Sequence, residues 1–361
     1  MFIHLKKLDW LLIISVLLLT SIGLLSIYSS SLGRGDFLNF QKQFAFLGIG
    51  FFLMLTVSFF DYRVLRNNPY LILALYLLGL FALAGLFVFG PEIRGVRTWY
   101  RIGPISIDPI SFFKIVLIIL LAKYFSTRHV RMYQVQHILL SGFYILLPAS
   151  LIFFQPNLGP VIILVALWLG ILIVSGIKLG HFSILAVCGI LILILGWNFL
   201  LRDYQKERII SFVSPQFEPL GAGWQQAQAK IAVGSGQILG RGIGQGPQTQ
   251  DGFLPKPQTD FIFAAISEEM GLIGVAVLLL LFLFVLKRII KIALNSRENF
   301  SRLFAAGFIF LLISQIFIHI GMNLGIVPVI GLSLPFISYG GSGLISLFIG
   351  LGILQNIKTH Q

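Results

Sequence analysis

The sequence predicts an all-α integral membrane protein: one polytopic domain over residues 1–361, with about ten transmembrane helices and a long loop between helices seven and eight. Hydrophobic residues make up 57% of the 361 positions and charged residues only 11%, which is too apolar for an ordinary soluble domain. The apolar runs are about 20 residues long, which is the length of a membrane helix and not of a barrel strand. Short polar connections separate these runs, as in a helical bundle.

The predicted spans follow one another along the whole chain. They cover residues 8–28, 43–60, 70–89, 110–125, 137–154, 160–177, 182–201, 261–286, 303–320 and 340–356. The first run has no small-residue cleavage site after it, so we expect a retained helix and not a cleaved signal peptide. The single cysteine, Cys188, lies in an apolar run, which excludes a disulfide framework and a zinc cluster and indicates a packed thiol.

The distribution of basic residues predicts the orientation of the bundle. If the amino terminus is cytoplasmic, the cytoplasmic segments hold 14 lysines and arginines, whereas the short loops on the other side hold five: Arg34, Lys42, Arg94, Arg97 and Arg101. This asymmetry follows the positive-inside rule, so both termini are expected in the cytoplasm. The net charge of +13 therefore indicates orientation and not nucleic-acid binding, because no basic run resembles a nucleic-acid patch.

Three loops are expected to surround one cavity on the outer side of the membrane. The long loop, 202–258, mixes aromatic residues with glycine pairs, unlike a low-complexity disordered linker. The segment 321–343 is broken by proline and glycine before the last span. Irregular backbone at membrane depth is tolerated only where it is buried in protein or lines a wet cavity, so Ser338 is expected to line the cavity. The third loop is 90–109.

The loop 90–109 combines basic and aromatic residues. Arg94, Arg97 and Arg101 lie beside Trp99 and Tyr100, and three arginines on the outer side run against the orientation rule. Guanidinium groups bind phosphate through paired hydrogen bonds, which favours a phosphate-bearing ligand. The two aromatic residues fit a membrane-interface belt equally well.

The polar, glycine-rich stretch from 240 turns into an apolar span at Gln258, Thr259 and Asp260. Asp260 is the strongest catalytic candidate, because a carboxylate at the lip of an apolar cavity can take a proton from a substrate hydroxyl. On a continuous helix Glu268 and Glu269 would lie deeper and on other faces. The three acids therefore cannot form one metal site or glycosidase pair. We expect the two glutamates to partner a lysine or backbone donors.

The remaining polar positions allow more than one interpretation. The glycines of 234–246 lack the lysine and hydroxyl residue that complete a phosphate loop, so they indicate close approach to a polar ligand and not a nucleotide site. Lys114, in the fourth span, fits a snorkelling lysine or a functional one. Gln155 and Asn157 lie in a turn at the membrane surface. Together these residues predict an outer cavity suited to an anionic amphiphile.

Several motifs in order resemble the shape, elongation, division and sporulation family. They are YQKERIISF and the residues that follow it up to EEMGLIG, GLSLPFISYGGSG, GVRTWYRIGPISIDPISFFK and QPNLGP, and the resemblance covers essentially the whole chain. It implies a ten-span glycosyltransferase that polymerises lipid II, the lipid-linked disaccharide-peptide precursor, into peptidoglycan at the outer face of the bacterial cytoplasmic membrane. It also implies a class B penicillin-binding transpeptidase as partner. The short tails favour the elongation branch.

The resemblance assigns roles to individual residues. Asp260 falls on the family's essential acid and would deprotonate the sugar 4-hydroxyl as it attacks an anomeric carbon, with inversion and loss of undecaprenyl pyrophosphate. The leaving group needs cationic or metal help. The candidate cations are Lys114, Arg101 and Arg208, of which the first and last fall on family motif positions. Further expected substrate contacts are Trp99, Gln258, Thr259 and Ser338. No cofactor is certain, and assistance by a divalent cation, Mg²⁺ or Mn²⁺, stays open.

Two positions depart from the family pattern. The family's glutamate in its PSE motif is Ser111 here, and its QPDLGT motif has Asn157 and Pro160 in place of the acid and the threonine. Lys114 thereby loses its expected ion-pair partner, and an unpaired buried ammonium is costly. We expect Lys114 to be compensated by Glu268, Glu269 or another acceptor.

Two other functions are compatible with the same cavity. A transporter that flips lipid II would also bind an anionic lipid, but it should show broken helices and charges near the midplane of both halves, and no internal repeat is visible. A non-catalytic scaffold that recruits the transpeptidase gains some support from the two missing acids. The polar loop that ends on Asp260 favours chemistry.

Overall fold

The computed structural model describes residues 2–92, 95–103, 105–127, 135–199, 201–214 and 221–361. Arg94, one of the predicted phosphate ligands, lies outside the described residues. The same holds for residues 215–220 of the long loop.

Within these ranges the chain is almost entirely helical. In chain order the helices are α1 (Phe2–Lys7), α2 (Trp10–Leu32), α3 (Leu38–Phe59), α4 (Arg63–Asn67), α5 (Pro69–Phe89), α6 (Pro109–Ser126), α7 (Val135–Phe154), α8 (Leu158–Val174), α9 (Leu179–Phe199), α10 (Asp203–Val213), α11 (Ala222–Ser235), α12 (Pro247–Gln250), α13 (Ile262–Asn295), α14 (Asn299–Leu324) and α15 (Gly341–Thr359). Nine of the described helices are long and apolar enough to cross a membrane, and α8 is a shorter apolar helix of 17 residues. The predicted fold class is confirmed.

Polar and proline residues determine where several helices begin. Asp9 caps α2 by accepting a hydrogen bond from the Leu12 amide at 3.1 Å, so this helix starts slightly later than the apolar run. Asn68 caps α5 and Pro69 occupies its first turn, where a missing amide hydrogen is harmless. Asp108 caps α6 in the same way. These caps satisfy amides that a helix leaves without partners.

The helices alternate in direction, so their connections gather at two ends of the bundle. The end at which α13 begins carries the loops before α3, α6, α8, α13 and α15, and we call it the Asp260 end. The opposite end is closed by an ion pair between Arg288 and Asp9, whose Nη2 and Oδ2 atoms lie 2.7 Å apart. Helices α6, α14 and α15 are the most buried spans, whereas α9 is exposed along most of its described length.

The long loop contains three helices, α10, α11 and α12. Helix α11 packs against α13 and α14. The loop before α6 also has regular structure: strands β1 (Tyr100–Ile102) and β2 (Ile105–Ile107) pair antiparallel. The Tyr100 hydroxyl donates to the Ala82 carbonyl of α5 at 2.6 Å, which fixes this hairpin to the bundle.

Helix α13 is interrupted where the glycine-rich loop touches it. Gly271 has φ 64° and ψ −166°, a conformation that glycine adopts readily. The loop amides of Arg241 and Gly242 donate to the carbonyls of Glu268 and Glu269 at 2.9 and 3.0 Å. The loop therefore satisfies carbonyls that the interruption would leave without partners.

Candidate active site

Asp260 lies in a turn immediately before α13, at the end of the bundle where that helix begins. The carbonyl oxygen of Lys256 accepts hydrogen bonds from the amides of Thr259 at 3.1 Å and Phe261 at 3.4 Å, which closes the turn. This brings the Lys256 ammonium to 3.0 Å from Oδ2 of Asp260. The Asp260 side chain is 18% exposed and the Lys256 side chain 47%. The carboxylate is therefore partly enclosed and remains reachable.

The backbone of Asp260 is held by the end of α14. Nδ2 of Asn323 donates to the Asp260 carbonyl at 3.1 Å and to the His319 carbonyl at 2.8 Å. Its Oδ1 atom accepts from the Ala264 amide in the first turn of α13, at 3.2 Å. Asn323 is fully buried, so this amide fixes the position of Asp260 from inside the bundle.

The segment before α15 holds the two residues that precede Asp260. The Ser338 hydroxyl donates to the Thr259 carbonyl at 2.9 Å and accepts from the Leu334 amide at 2.8 Å. The Tyr339 amide donates to the Gln258 carbonyl at 2.8 Å. The structure thus brings Gln258, Thr259 and Ser338 together with Asp260.

The side chain of Gln258 is buried and already has two partners. Its Oε1 atom accepts from Nδ2 of Asn39 at 2.7 Å, and its Nε2 atom donates to the Ser31 hydroxyl at 3.2 Å. These bonds tie the turn to α2 and α3. Substrate binding by Gln258, Thr259 and Ser338 stays a prediction, and the Gln258 amide and Ser338 hydroxyl already bind groups within the protein.

A glycine lies against the Asp260 carboxylate from the other side. A Cβ atom on Gly331 would be 3.9 Å from Oδ2 and 4.0 Å from Oδ1 of Asp260, and Gly331 has φ +76°. The next residue, Leu332, accepts a hydrogen bond through its carbonyl from Nδ1 of the buried His319 at 2.6 Å. Arg208 reaches the same segment, with Nη1 3.4 Å from the Val329 carbonyl.

Lys114 is buried in the first turns of α6, and the acid whose charge acts on it is Asp108. Asp108 Oδ2 accepts from the Ser111 hydroxyl at 2.6 Å, and its Oδ1 atom caps the helix. Burial raises the pKa of the Asp108 carboxyl, while the charge of Lys114 and the Ser111 hydroxyl oppose that rise. The Asp108 amide donates to the Ser342 hydroxyl at 2.9 Å, which links this cluster to the start of α15.

Lys114 was expected to be compensated by Glu268, Glu269 or another acceptor, and the two glutamates are bound elsewhere. Glu268 accepts from the amide and hydroxyl of Thr249 at 3.0 and 2.7 Å and from the Gln248 amide at 2.8 Å. Glu269 Oε1 accepts from the Ser29 hydroxyl, from Nε2 of Gln250 and from the Gly244 amide. Both buried glutamates therefore fasten the glycine-rich loop to α13 and α2. Among the described residues Lys114 has no direct hydrogen bond, and its compensation is the charge of Asp108.

Among the described residues, no hydrogen bond joins the other predicted residues to the Asp260 turn. Trp99 and Arg101 are exposed in and beside the hairpin. Arg97 instead holds its own loop, with Nη1 2.9 Å from the Phe87 carbonyl. Gln155 is buried and donates through Nε2 to the Leu83 carbonyl at 2.7 Å. Asn157 stands at the cap position of α8 without a side-chain capping bond.

Sequence patterns missed three residues of the site. Lys256 precedes Asp260 by four positions, but a contact between them follows only from the intervening turn. Asn323 is an amide near the end of an apolar span, which the rule on polar residues in membranes could have singled out. Asp108 directly before Pro109 is a recognisable helix start, and its proximity to Lys114 follows from the helix that it caps.

Comparison with known proteins gives one family over nearly the whole chain. The model of the FtsW, RodA and SpoVE family, described as "Cell cycle protein", matches residues 9–361. Stage V sporulation protein E of Bacillus subtilis (strain 168) is 36% identical over 362 residues, which cover 98% of this chain and 97% of that protein. Peptidoglycan glycosyltransferase MrdB of Escherichia coli (strain K12) is 32% identical over 360 residues, with 99% and 95% covered.

Solved structures share the fold. One chain, from a structure described as "Structural coordination of polymerization and crosslinking by a peptidoglycan synthase complex", has a TM-score of 0.82 and 30% identity, with 97% of both chains covered. The crystal structure of the Thermus thermophilus rod shape determining protein RodA has a TM-score of 0.73 and 28% identity, with 97% of this chain and 96% of that chain covered. The resemblance inferred from the motifs is thus confirmed, and the chain belongs to the FtsW, RodA and SpoVE family of multi-pass membrane proteins.

Proposed function

We propose that the protein is a peptidoglycan glycosyltransferase that polymerises lipid II into glycan strands, with Asp260 as general base, for cell elongation and shape. Membership of the family and the names of relatives such as MrdB support the glycosyltransferase activity. The single observation that supports a general-base role for Asp260 is the hydrogen bonding of its two carboxylate oxygens. Oδ2 is bound by Lys256, whereas Oδ1 has no hydrogen bond among the described residues.

In this mechanism Oδ1 of Asp260 accepts the proton of the sugar 4-hydroxyl. The hydroxyl oxygen forms a bond to the anomeric carbon of a second lipid II, with inversion, and the bond from that carbon to undecaprenyl pyrophosphate breaks. Asn323 and Ser338 hold the turn from opposite sides, so the carboxylate needs little reorganisation to accept the proton. General base catalysis of this kind contributes about 10²- to 10⁴-fold.

The departing diphosphate requires cations, for which we propose Lys114, Arg101 and Arg208. Arg101 is exposed, and Arg208 reaches the segment that flanks Asp260. Lys114 is buried and keeps a nearby acid in Asp108. Preorganised positive charge at the leaving group lowers the barrier, since negative charge develops there in the transition state. Trp99 is proposed to contact the substrate beside Arg101.

The described residues contain no group of three or more histidine, cysteine or acidic side chains placed to hold a metal ion. A Mg²⁺ or Mn²⁺ ion that assists the reaction would therefore be bound chiefly by the diphosphate of the substrate. Strand synthesis measured with EDTA, and then with each ion added back, tests this proposal.

We further propose that the protein lies in the bacterial cytoplasmic membrane with both termini in the cytoplasm and the Asp260 end outside. The asymmetry of basic residues supports this orientation. A class B penicillin-binding protein is the proposed partner, since the similar chain of known structure belongs to a peptidoglycan synthase complex. Cysteine labelling from either side of the membrane, at positions 252 and 358, tests the orientation.

Strand synthesis from purified lipid II tests the activity. The wild type, with its partner present, should form glycan strands, and Asp260→Ala and Asp260→Asn should lower the rate at least about 100-fold. Both variants should unfold at nearly the wild-type temperature, because the ion pair that they remove is partly exposed and contributes little to stability.

The same preparations separate the alternative functions. A flippase would move lipid II across vesicle membranes without forming strands. Any strands made by another protein in the preparation would then be unaffected by Asp260→Ala. A scaffold would form no strands with or without Asp260. Absence of strands from the wild type with its partner would defeat the proposal.

A further inference from the structure

Lys256, which contacts Asp260 through its side chain, has an unusual backbone conformation. Lys256 has φ 45°, in the left-handed region that disfavours residues with a side chain. Such a conformation costs free energy. It persists because the Lys256 carbonyl accepts the two amides that close the turn. The result is an ammonium 3.0 Å from the carboxylate proposed as the base.

Stability does not account for this arrangement. The Lys256 side chain is 47% exposed, and an ion pair with so exposed a partner contributes little to stability. The contact therefore returns no more free energy than the backbone conformation costs. A strained residue next to a reactive group points to function.

Two other basic side chains reach the segment that flanks Asp260, and both bind its backbone. His319 donates to the Leu332 carbonyl, and Arg208 is bonded to the Val329 carbonyl; both act on the segment that contains Gly331. The described contacts of the Lys256 ammonium are confined to the Asp260 carboxylate. Lysine also carries its charge on a long flexible stem, so this cation can move without disturbing the turn.

We propose that Lys256 is a mobile counter-ion that follows the charge during glycosyl transfer, from the Asp260 carboxylate to the departing diphosphate. This inference rests on the proposed function. The acceptor hydroxyl gives its proton to Oδ1 of Asp260, its oxygen bonds to the anomeric carbon, and the bond to the diphosphate breaks. One negative charge thereby leaves the carboxylate and appears on the diphosphate. The ammonium loses its partner as the new anion forms, and it binds the diphosphate oxygens.

The absence of a side chain on Gly331 supports this geometry. A Cβ atom there would lie 3.9 Å from Oδ2 and 4.0 Å from Oδ1 of Asp260, so a side chain at this position would lie against the carboxylate. A sugar hydroxyl can therefore approach Oδ1 while Lys256 occupies Oδ2. Base and counter-ion then lie on different oxygens of one carboxylate, so the proton transfer does not require the ion pair to break first.

The test compares full-length Lys256→Gln, Lys256→Arg and Lys230→Gln with the wild type in strand synthesis from lipid II, with the partner present. Lys230 is an exposed lysine at the same end of the bundle that lies against Gly325 and not against Asp260. Lys256→Gln should lower kcat about 10- to 100-fold, the range for loss of a charge-assisted hydrogen bond in the transition state. KM should change less than about threefold, Lys256→Arg should keep most of the rate, and Lys230→Gln should match the wild type.

Several outcomes would overturn the inference. These are wild-type kcat in Lys256→Gln, an effect confined to KM, or an equal loss in Lys230→Gln. The double variant Lys256→Gln/Asp260→Ala should be no slower than Asp260→Ala alone, because the counter-ion acts only when the base takes the proton. If Asp260→Ala retains full activity, the proposed function is wrong and the inference about Lys256 falls with it. A wild-type rate in Lys256→Gln together with a loss in Asp260→Ala would overturn the inference about Lys256 and leave the proposed function intact.

Discussion

The side-chain amide of Asn323 joins the carbonyl of Asp260, 3.1 Å from Nδ2, to the amide of Ala264, 3.2 Å from Oδ1. It spans the point at which the chain enters α13. Both bonds come from the last turns of α14, which are buried, so the position of the candidate base depends on the packing of two transmembrane helices and not on its own loop alone.

Replacing Asn323 should damage the site more than the fold. Asn323→Leu leaves the Ala264 amide and the Asp260 carbonyl without these partners, at about 1–3 kcal/mol, and strand synthesis should fall at least about tenfold as Asp260 shifts. Thermal unfolding in detergent and the lipid II assay measure the two effects. Asn198→Leu on the exposed surface of α9 is the matched control. Full activity in Asn323→Leu would show that Asp260 is held by other contacts.

The two buried glutamates should respond differently to the same substitution. Glu268 accepts through both oxygens, whereas Glu269 accepts through Oε1 alone. A glutamine keeps one acceptor oxygen, so Glu268→Gln should lose about 1–3 kcal/mol and Glu269→Gln less than about 1 kcal/mol. Thermal unfolding and limited proteolysis of the 236–250 segment would reveal the difference. Equal effects would indicate that charge matters more than the number of hydrogen bonds.

Substitutions at Asp108 and Lys114 should have coupled effects on the free energy of unfolding. Asp108→Asn keeps the helix cap but leaves the buried ammonium uncompensated, and it should lower the free energy of unfolding by up to about 3 kcal/mol, since Asp108 is partly exposed. Lys114→Met in the same chain should restore most of that loss, because removing both charges is close to neutral. A double-mutant cycle on thermal unfolding measures the coupling. Additive losses would mean that Lys114 is compensated elsewhere.

Alanine substitutions at Gly234, near the end of α11, and at Gly236, directly after α11, should change the stability of the protein in opposite directions. A Cβ atom on Gly236 would lie 1.9 Å from the Ser267 carbonyl oxygen of α13, whereas Gly234 has open space around it. Gly236→Ala should therefore cost about 1–3 kcal/mol through overpacking. Gly234→Ala, in the last turn of α11, should gain up to about 0.5–1 kcal/mol. Unfolding temperatures of the two variants give the comparison, and stabilisation by Gly236→Ala would contradict the close approach of the loop to α13.

Sequence reasoning succeeded where the membrane itself imposes the rule. A bilayer admits only helices whose backbone is satisfied within each segment, so apolar runs predicted the spans, and the boundaries moved by a few residues where Asp9 or Asn68 caps a helix. It left partners open where they come from distant elements. Glu268 and Glu269 were expected to bind a lysine or backbone donors, and the structure shows backbone donors, because the glycine-rich loop folds back onto α13.

The amino-acid order by itself determined the all-α membrane fold, the family and the choice of Asp260, because hydropathy and motif spacing are local properties of the chain. Only the tertiary structure decided which charges meet: Lys256 at Asp260, Asp108 near Lys114, and Asn323 behind the base. Electrostatic and hydrogen-bonding partners depend on distances of a few ångströms between segments far apart in sequence, and helix packing sets those distances.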